Sequence, residues 1–327
     1  MFRYIIKRLV YLIFVFFMLS VILFGVFKMI PSDPARSIID IDLMNEDPVK
    51  YEEAYQEARE KLGLNEPIYR QYANWMVKML HGDFGYSIQY RQPIKQIIKQ
   101  PLINTAKLNL VSFVFVFLIS IPLGITTAVK RYSKYDNTIQ LITVIGVSIP
   151  SFIIALIAIY IFSVKLHIFP INGMKTIGKQ YTGIKAGLDS LHHMALPLIV
   201  MFFTSLASTT RYVRAAMIEV LKKDFIRTAR AKGLSEKIII YLHAFKNALI
   251  PIVTVFTWWF VGMFGGSIVI ENIFLWNGIG KILIDSLKQQ DYSLVLVINM
   301  FYILLSLLGN IVMDIGYMIV DPRVKLL

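Results

Sequence analysis

Apolar residues in this chain gather into long runs that are nearly free of charge. Six such runs lie at 9–30, 108–129, 139–164, 196–213, 249–270 and 294–320. A helix needs about 20 apolar residues to cross the hydrocarbon core of a bilayer, and each run is near that length. The pattern predicts an all-α polytopic membrane protein with about six transmembrane helices. The first run follows Arg3, Lys7 and Arg8, as in a secretory signal. The apolar part of a signal is shorter, roughly 7–15 residues, and ends at a small-residue cleavage site. Here Pro31-Ser32-Asp33-Pro34 follows a run of spanning length, so an uncleaved first membrane helix is expected. An even number of crossings puts both termini on one side.

Between the first two runs lies the long polar stretch of the chain, residues 31–102, acidic early at Asp33, Asp40, Asp42, Glu46, Asp47, Glu52 and Glu53. Residues 49–62 read as a surface helix stopped by Gly63. Asn65 is placed to cap a second helix, with Pro67 near its first turn, running to about His81 before Gly82. Pro150 interrupts the third run and predicts a kink, with a cavity-lining role as the alternative. Gly262 and Gly266 form a small-xxx-small pair that admits a close helix neighbour. That neighbour is either inside this chain or across a subunit interface.

Composition sharpens the picture. The chain has 327 residues, 56% of them hydrophobic, with a mean hydropathy of +0.61, above the roughly 45–50% apolar content of soluble domains. Its net charge is +13, which fits either nucleic acid or an anionic membrane surface. Position decides. Arg3, Lys7, Arg8, Lys130, Arg131, Lys134, Arg211, Arg214, Lys222, Lys223, Arg227, Arg230, Lys232, Lys237, Lys246, Arg323 and Lys325 all fall on one side of a six-span chain. Cytoplasmic loops carry such an excess, so the charge reads as topology, with both termini cytoplasmic and 31–102 outside. The four lysines within 165–185 run against the trend. The chain has no cysteine, which excludes disulfides and thiolate metal sites.

Catalytic patterns are missing from the sequence. It contains no His-Glu-x-x-His and no Gly-x-Ser-x-Gly, the helix of zincins and the elbow of serine hydrolases. His192 and His193 are adjacent, and helical neighbours point about 100° apart, so they read as a structural pair. Gly280-Lys281 mimics the end of a phosphate-binding loop, but Leu275 stands where the first glycine belongs and Ile282 where the magnesium-binding hydroxyl belongs. No enzyme activity and no cofactor are expected in this chain.

The loop between the fourth and fifth runs is the most informative segment. Residues 224–232 are good helix formers with acid first and base last, matching the helix dipole. Gly233 suits the left-handed turn that ends a helix. Ser235 can cap a second helix, with Glu236 in its first turn. Its basic residues fit a helix lying on anionic lipid or, superficially, a DNA-binding helix-turn-helix; a short membrane-tethered loop disfavours the latter.

At this loop the sequence resembles the permease subunits of bacterial ABC importers. Within them it is similar to the first permease chain of the oligopeptide/dipeptide/nickel family. Arg227-Thr228-Ala229-Arg230-Ala231-Lys232-Gly233 carries the likeness, continuing through His243-Ala244-Phe245-Lys246-Asn247-Ala248-Leu249-Ile250-Pro251. Arg227-Thr228-Ala229 replaces the Glu-Ala-Ala of other importers, as in the peptide subfamily. Further matches are Pro31-Ser32-Asp33-Pro34-Ala35, Gly63-Leu64-Asn65-Glu66-Pro67, Tyr72-Ala73-Asn74-Trp75 and Gly82-Asp83-Phe84-Gly85-Tyr86-Ser87. The run from Glu271 through Trp276-Asn277-Gly278 to Gly280, and Asp314, Tyr317 and Asp321-Pro322-Arg323, complete it.

The resemblance implies a type I ABC importer permease fold in a bacterial cytoplasmic membrane. Residues 1–102 would be a first membrane helix with an extracytoplasmic helical loop, and 103–327 a permease core. It implies as partners a homologous second permease, two cytoplasmic ATPases that hold ATP and magnesium, and an extracytoplasmic peptide-binding protein, with membrane lipid and no nucleic acid. Coupling to the ATPases would fall to Asp224, Phe225, Arg227, Thr228, Ala229, Ala231, Lys232, Gly233, Leu234 and Ser235. A peptide's polar backbone calls for a wide, wet path, for which Thr254, Thr257 and Trp258 are candidate linings. The implied cargo is oligopeptides, with dipeptides or nickel chelates as alternatives. A self-contained secondary transporter would carry charge within its spans; here Glu271 and Asp314 lie toward span ends.

Overall fold

The apolar runs fold as helices, most of them longer than the runs that announce them. The computed structural model describes residues 2–30, 35–36, 39 and 47–320. The features expected at Pro31-Ser32-Asp33-Pro34, Asp40, Asp42, Glu46, Asp321-Pro322-Arg323 and Lys325 lie outside the described residues. Helix α1 spans Phe2–Met29, α2 Pro48–Lys61 and α3 Ile68–Leu80. A two-residue hairpin pairs β1 (Tyr86–Ser87) with β2 (Gln92–Pro93). Then follow α4 (Ile94–Val129), α5 (Lys134–Ser148), α6 (Ser151–Ala158), a π-helical stretch at Ile159–Lys165, α7 (Gly183–Leu221) and α8 (Asp224–Ala231). A short α9 (Glu236–Ile238) and a second π-helical stretch (Ile239–Phe245) lead into α10 (Lys246–Gly262). The chain closes with α11 (Ile268–Ile273), α12 (Ile279–Lys288) and α13 (Tyr292–Val320).

Among the described residues five helices are long and apolar enough to cross a membrane: Ile6–Met29, Ile94–Val129, Gly183–Leu221, Glu236–Gly262 and Tyr292–Met318. The third run is different. Its two halves, Lys134–Ser148 and Ser151–Lys165, meet at 99°. Pro150 does more than kink this run: Ile149 is extended and Pro150 starts a new helix. The residue before a proline is driven out of the helical region.

The chain divides into two compact units. The first comprises Met1–Pro101 and Ile282–Leu304. In it α3 packs on α1 through Phe24, Tyr72 and Trp75, whose ring centroids lie 5.4–6.0 Å apart. The Ser20 and Tyr72 hydroxyls share a hydrogen bond of 2.7 Å. Helix α2 forms as expected, with Asp47 accepting from the Lys50 N–H at 3.2 Å and Gly63 at φ +65° beyond its end. Asn65 does not cap α3. Pro67 holds that position without a side-chain bond, and Asn65 instead accepts from Arg59 Nε at 3.0 Å. Ser87 donates to the Asp291 carboxylate, which also receives the Leu294 N–H at 3.3 Å and so caps α13.

The second unit comprises Leu102–Lys281 and Leu305–Leu327. Its core has two clusters at opposite ends. One gathers Ile125, Met217, Val220, Ile226, Ile239 and Ala248; the other gathers Leu108, Ala155, Leu196, Val200, Phe274 and Trp276. Leu108 and Ile125 sit about 25 Å apart along α4 at 1.5 Å rise per residue. The bent pair runs between these ends. It starts where Arg214 donates to both Asp136 carboxylate oxygens at 2.8 Å. Beyond its far end His192 donates to the Ile168 carbonyl at 2.8 Å and the Gly173 N–H to the Phe274 carbonyl at 2.9 Å. The pair is thus placed to run from one end of the unit to the other, and if it counts as one span the candidate crossings among the described residues number up to six.

Candidate functional site

Helix α8 stands on one end of the second unit. Its two inward positions, Ile226 and Ala229, are three apart and therefore share a face. Both are buried against Met217, Val220, Ile239 and Ala244. Everything else on it is exposed: Asp224, Phe225, Arg227, Thr228, Ala231 and, beyond, Lys232, Gly233, Leu234 and Ser235. Ala229 thus anchors the helix instead of presenting it, and Ile226 shares that role. The i, i+3 spacing of two apolar residues, Ile226 and Ala229, was the signal for both.

Gly233 makes the turn at φ +76°. Its N–H bonds the Arg230 carbonyl at 2.9 Å, and the Leu234 N–H reaches the Ala229 carbonyl at 3.4 Å. A methyl added at Gly233 would meet nothing within 4 Å, so conformation and not space demands glycine here. Ser235 occupies the N-cap position of α9, but its side chain makes no cap bond. The turn is stapled instead by Arg230, whose Nε donates to Glu236 Oε1 at 2.8 Å while Nη2 reaches Oε2 at 3.3 Å. Fork-on-fork pairing of this kind fixes geometry as well as charge.

The unit also holds a cavity of about 520 Å³ beside the end of α10. Of the candidate path residues, Trp258 lines it, together with Trp259. Thr254 and Thr257 do not. The Thr254 hydroxyl shares a 2.6 Å hydrogen bond with Tyr317, and Thr257 is buried, donating to the Val253 carbonyl at 2.9 Å. Gly262 and Gly266 form no helix-packing face. The helix ends at Gly262, which faces open space, while Gly266 has φ +77° and backs onto Gly280.

Glu271 lies beyond the end of α10 and is fully buried in this unit. Thr105 donates to its Oε1 at 2.6 Å and the Ser267 N–H at 3.2 Å; the Lys281 N–H donates to Oε2 at 3.0 Å. Burial pushes this carboxyl above the usual range, against the Thr105 hydroxyl and the Lys281, Ser267 and Gly280 amides, which pull it down. The Gly280-Lys281 amides, decoys for a phosphate loop, thus hold the chain's own carboxylate. His192 and His193 are structural, bonded to the Ile168 and Gly173 carbonyls.

Comparison with known proteins places this architecture. The family described as "Binding-protein-dependent transport system inner membrane component" matches residues 120–326, and its N-terminal companion matches 1–109. The oligopeptide transport system permease protein AppB of Bacillus subtilis (strain 168) is 38% identical over 323 residues, covering 98% of this chain and 99% of that one. The glutathione transport system permease protein GsiC of Escherichia coli (strain K12) is 34% identical over 325 residues, covering 99% of each. A solved inward-facing structure of the MetNI methionine ABC transporter aligns with a TM-score of 0.52 at 18% identity, covering 68% of this chain and 96% of that one. At that identity the likeness is one of fold.

Proposed function

The chain belongs to the binding-protein-dependent transport system inner membrane component family, and from that premise we propose that it forms half of a path by which oligopeptides enter a cell. It is an ABC importer permease subunit with the fold that its runs and its loop led one to expect. A homologous second permease completes the path, two cytoplasmic ATPases bind ATP and magnesium and do the work, and an extracytoplasmic binding protein delivers the cargo. The chain itself is non-catalytic. Both termini and α8 face the cytoplasm, and α2 and α3 lie outside. Residues 1–102 serve as the first span with its outer loop, and 103–327 as the permease core.

One observation carries the coupling role: α8 is rooted by Ile226 and Ala229 in a buried apolar core, while Phe225, Arg227, Lys232 and Leu234 are exposed. A short amphipathic helix presented this way suits a groove on a soluble partner. Closure of that partner on ATP would then bias a two-state membrane bundle. The cargo assignment follows the near-full-length likeness to an oligopeptide permease.

The test is uptake by the complete complex in proteoliposomes with its own binding protein. ATP-dependent uptake of labelled tri- to pentapeptides is expected. Nickel uptake with no peptide uptake overturns the cargo and leaves the permease role standing. Uptake of glutathione alone among the peptides narrows the cargo to that tripeptide.

A further inference from the structure

We propose that the cavity beside the end of α10 is a subsite of the path that accepts one uncharged, aromatic or aliphatic side chain of the passing peptide. This rests on the peptide-permease function proposed above. The cavity's volume of about 520 Å³ falls within the roughly 300–1,000 Å³ common for ligand sites.

Its floor comes from the way α10 ends. The helix stops at Gly262, the chain turns through Gly266, and α11 begins at Ile268. That turn is pinned from behind. Asn109 Nδ2 donates to the Met263 carbonyl at 2.9 Å, and the Ser267 hydroxyl donates to Asn109 Oδ1 at 3.0 Å. A Cβ built on Gly266 would lie 2.8 Å from the Gly280 amide nitrogen, so the turn is also backed by main chain. Bonds of this kind let the floor hold its shape when a ligand arrives.

The walls combine two chemistries. Trp258 and Trp259 supply indoles, and Trp258 is 56% exposed, so a large part of its ring is open to contact. Ser151, Thr204 and Ser205 supply hydroxyls from α6 and α7. No residue lining the cavity carries a charge. Indole stacks on aromatic rings and covers aliphatic ones. The Ser151 and Ser205 hydroxyls can bond a peptide's N–H and C=O groups, which cross poorly unless satisfied, while Thr204, whose O–H is donated to the Val200 carbonyl at 3.1 Å, can only accept. A lysine or glutamate side chain entering here would shed water and find no counter-charge. The cavity is thus built to prefer neutral side chains without reading their sequence.

The experiment uses the complete complex with its binding protein and three labelled peptides, Ala-Ala-Ala, Ala-Phe-Ala and Ala-Lys-Ala. Each is supplied at a concentration that saturates the binding protein. Trp258→Ala is expected to slow Ala-Phe-Ala relative to Ala-Ala-Ala by roughly three- to tenfold, the value of one lost aromatic contact. Ser205→Asp is expected to raise Ala-Lys-Ala relative to Ala-Phe-Ala. In the unmodified complex, Ala-Phe-Ala carrying a photoactivatable phenylalanine should label the cavity lining, residues 258–270 or the facing Ser151, Thr204 and Ser205, a measurement that requires no variant to fold. Equal slowing of all three peptides by Trp258→Ala marks a packing role and overturns the subsite. Labelling confined to segments that do not line the cavity does the same. A complex that hydrolyses ATP yet imports none of the peptides overturns the cargo reading itself, and the subsite with it.

Discussion

Glu271 is wrapped in the chain's own donors: a hydroxyl from α4 and amides from both sides of the α11–α12 connection. Around it the Trp276 Nε1–H donates to the Asn104 carbonyl at 3.1 Å, and the Ile279 N–H donates to Thr105 Oγ1 at 2.9 Å. A buried carboxylate is tolerated only when such bonds replace its lost water. Gly278 sits against this knot: an added Cβ would lie 2.5 Å from both Glu271 Oε2 and Thr105 Oγ1. Real side chains do not approach so closely, and neither neighbour is free to move without giving up a bond. Gly278→Ala should therefore destabilise the fold by about 1–3 kcal/mol, the usual cost of overpacking. Thermal unfolding of the detergent-solubilised complex measures it, with Gly187→Ala as the control, since its added methyl meets nothing within 4 Å. Equal melting temperatures for the two variants would show that the knot yields, contrary to its bonding.

At the scale of one element, α8 and its turn make the clearest case. A valine at Gly233 would have to hold φ near +76°, in a region that costs an L-residue about 1–2 kcal/mol and a β-branched one more. Gly233→Val should lower uptake and transport-coupled ATP hydrolysis together while the chain still inserts. Gly233→Asn, which tolerates the left-handed region, should keep most of both. Full transport by the valine variant sinks the coupling role of this turn. This element was legible in advance because each of its signals is local: acid first, base last, then glycine. Others were not. Asn65 looked like a cap because sequence shows a donor's neighbour but not its competitor; Arg59 claims its oxygen. Gly262 and Gly266 looked like one helix face because periodicity does not reveal where a helix stops. Thr257 looked available to a path, yet its hydroxyl is spent on the preceding turn. The start of α4 at Ile94, well before its apolar run, was hidden because Asn104 and Thr105 are polar by type and buried by bonding. The cavity was invisible for the same reason, since it joins α6, α7 and α10 across the chain.

For the whole molecule the open choice is sidedness, and it turns on the bent pair. Each half has about 15 residues, or about 22 Å of helix at 1.5 Å per residue, less than the roughly 30 Å of the hydrocarbon core. A re-entrant hairpin would give five crossings, put residues 165–185 with their lysines inside, and carry α8 to the outside. The packing argues otherwise. Asp136 at the pair's start is bonded to Arg214, close in sequence to α8, whereas the segment after its end bonds Phe274 at the opposite cluster. One crossing in two bent halves satisfies both contacts, and a 99° bend is tolerable in a membrane where protein or a water-filled cavity satisfies the broken backbone. The lysines of 165–185 then lie outside, which the charge rule permits as a minority against the basic excess opposite. The chain has no native cysteine, so single cysteines report cleanly. Ile177 is 97% exposed, and Asn65 and Ser235 are also exposed. An impermeant thiol reagent added to intact cells should label cysteine at Asn65 and at Ile177, and reach Ser235 only after the membrane is opened. Labelling at Asn65 and Ser235 with none at Ile177 would establish the re-entrant arrangement and remove α8 from the reach of any cytoplasmic ATPase.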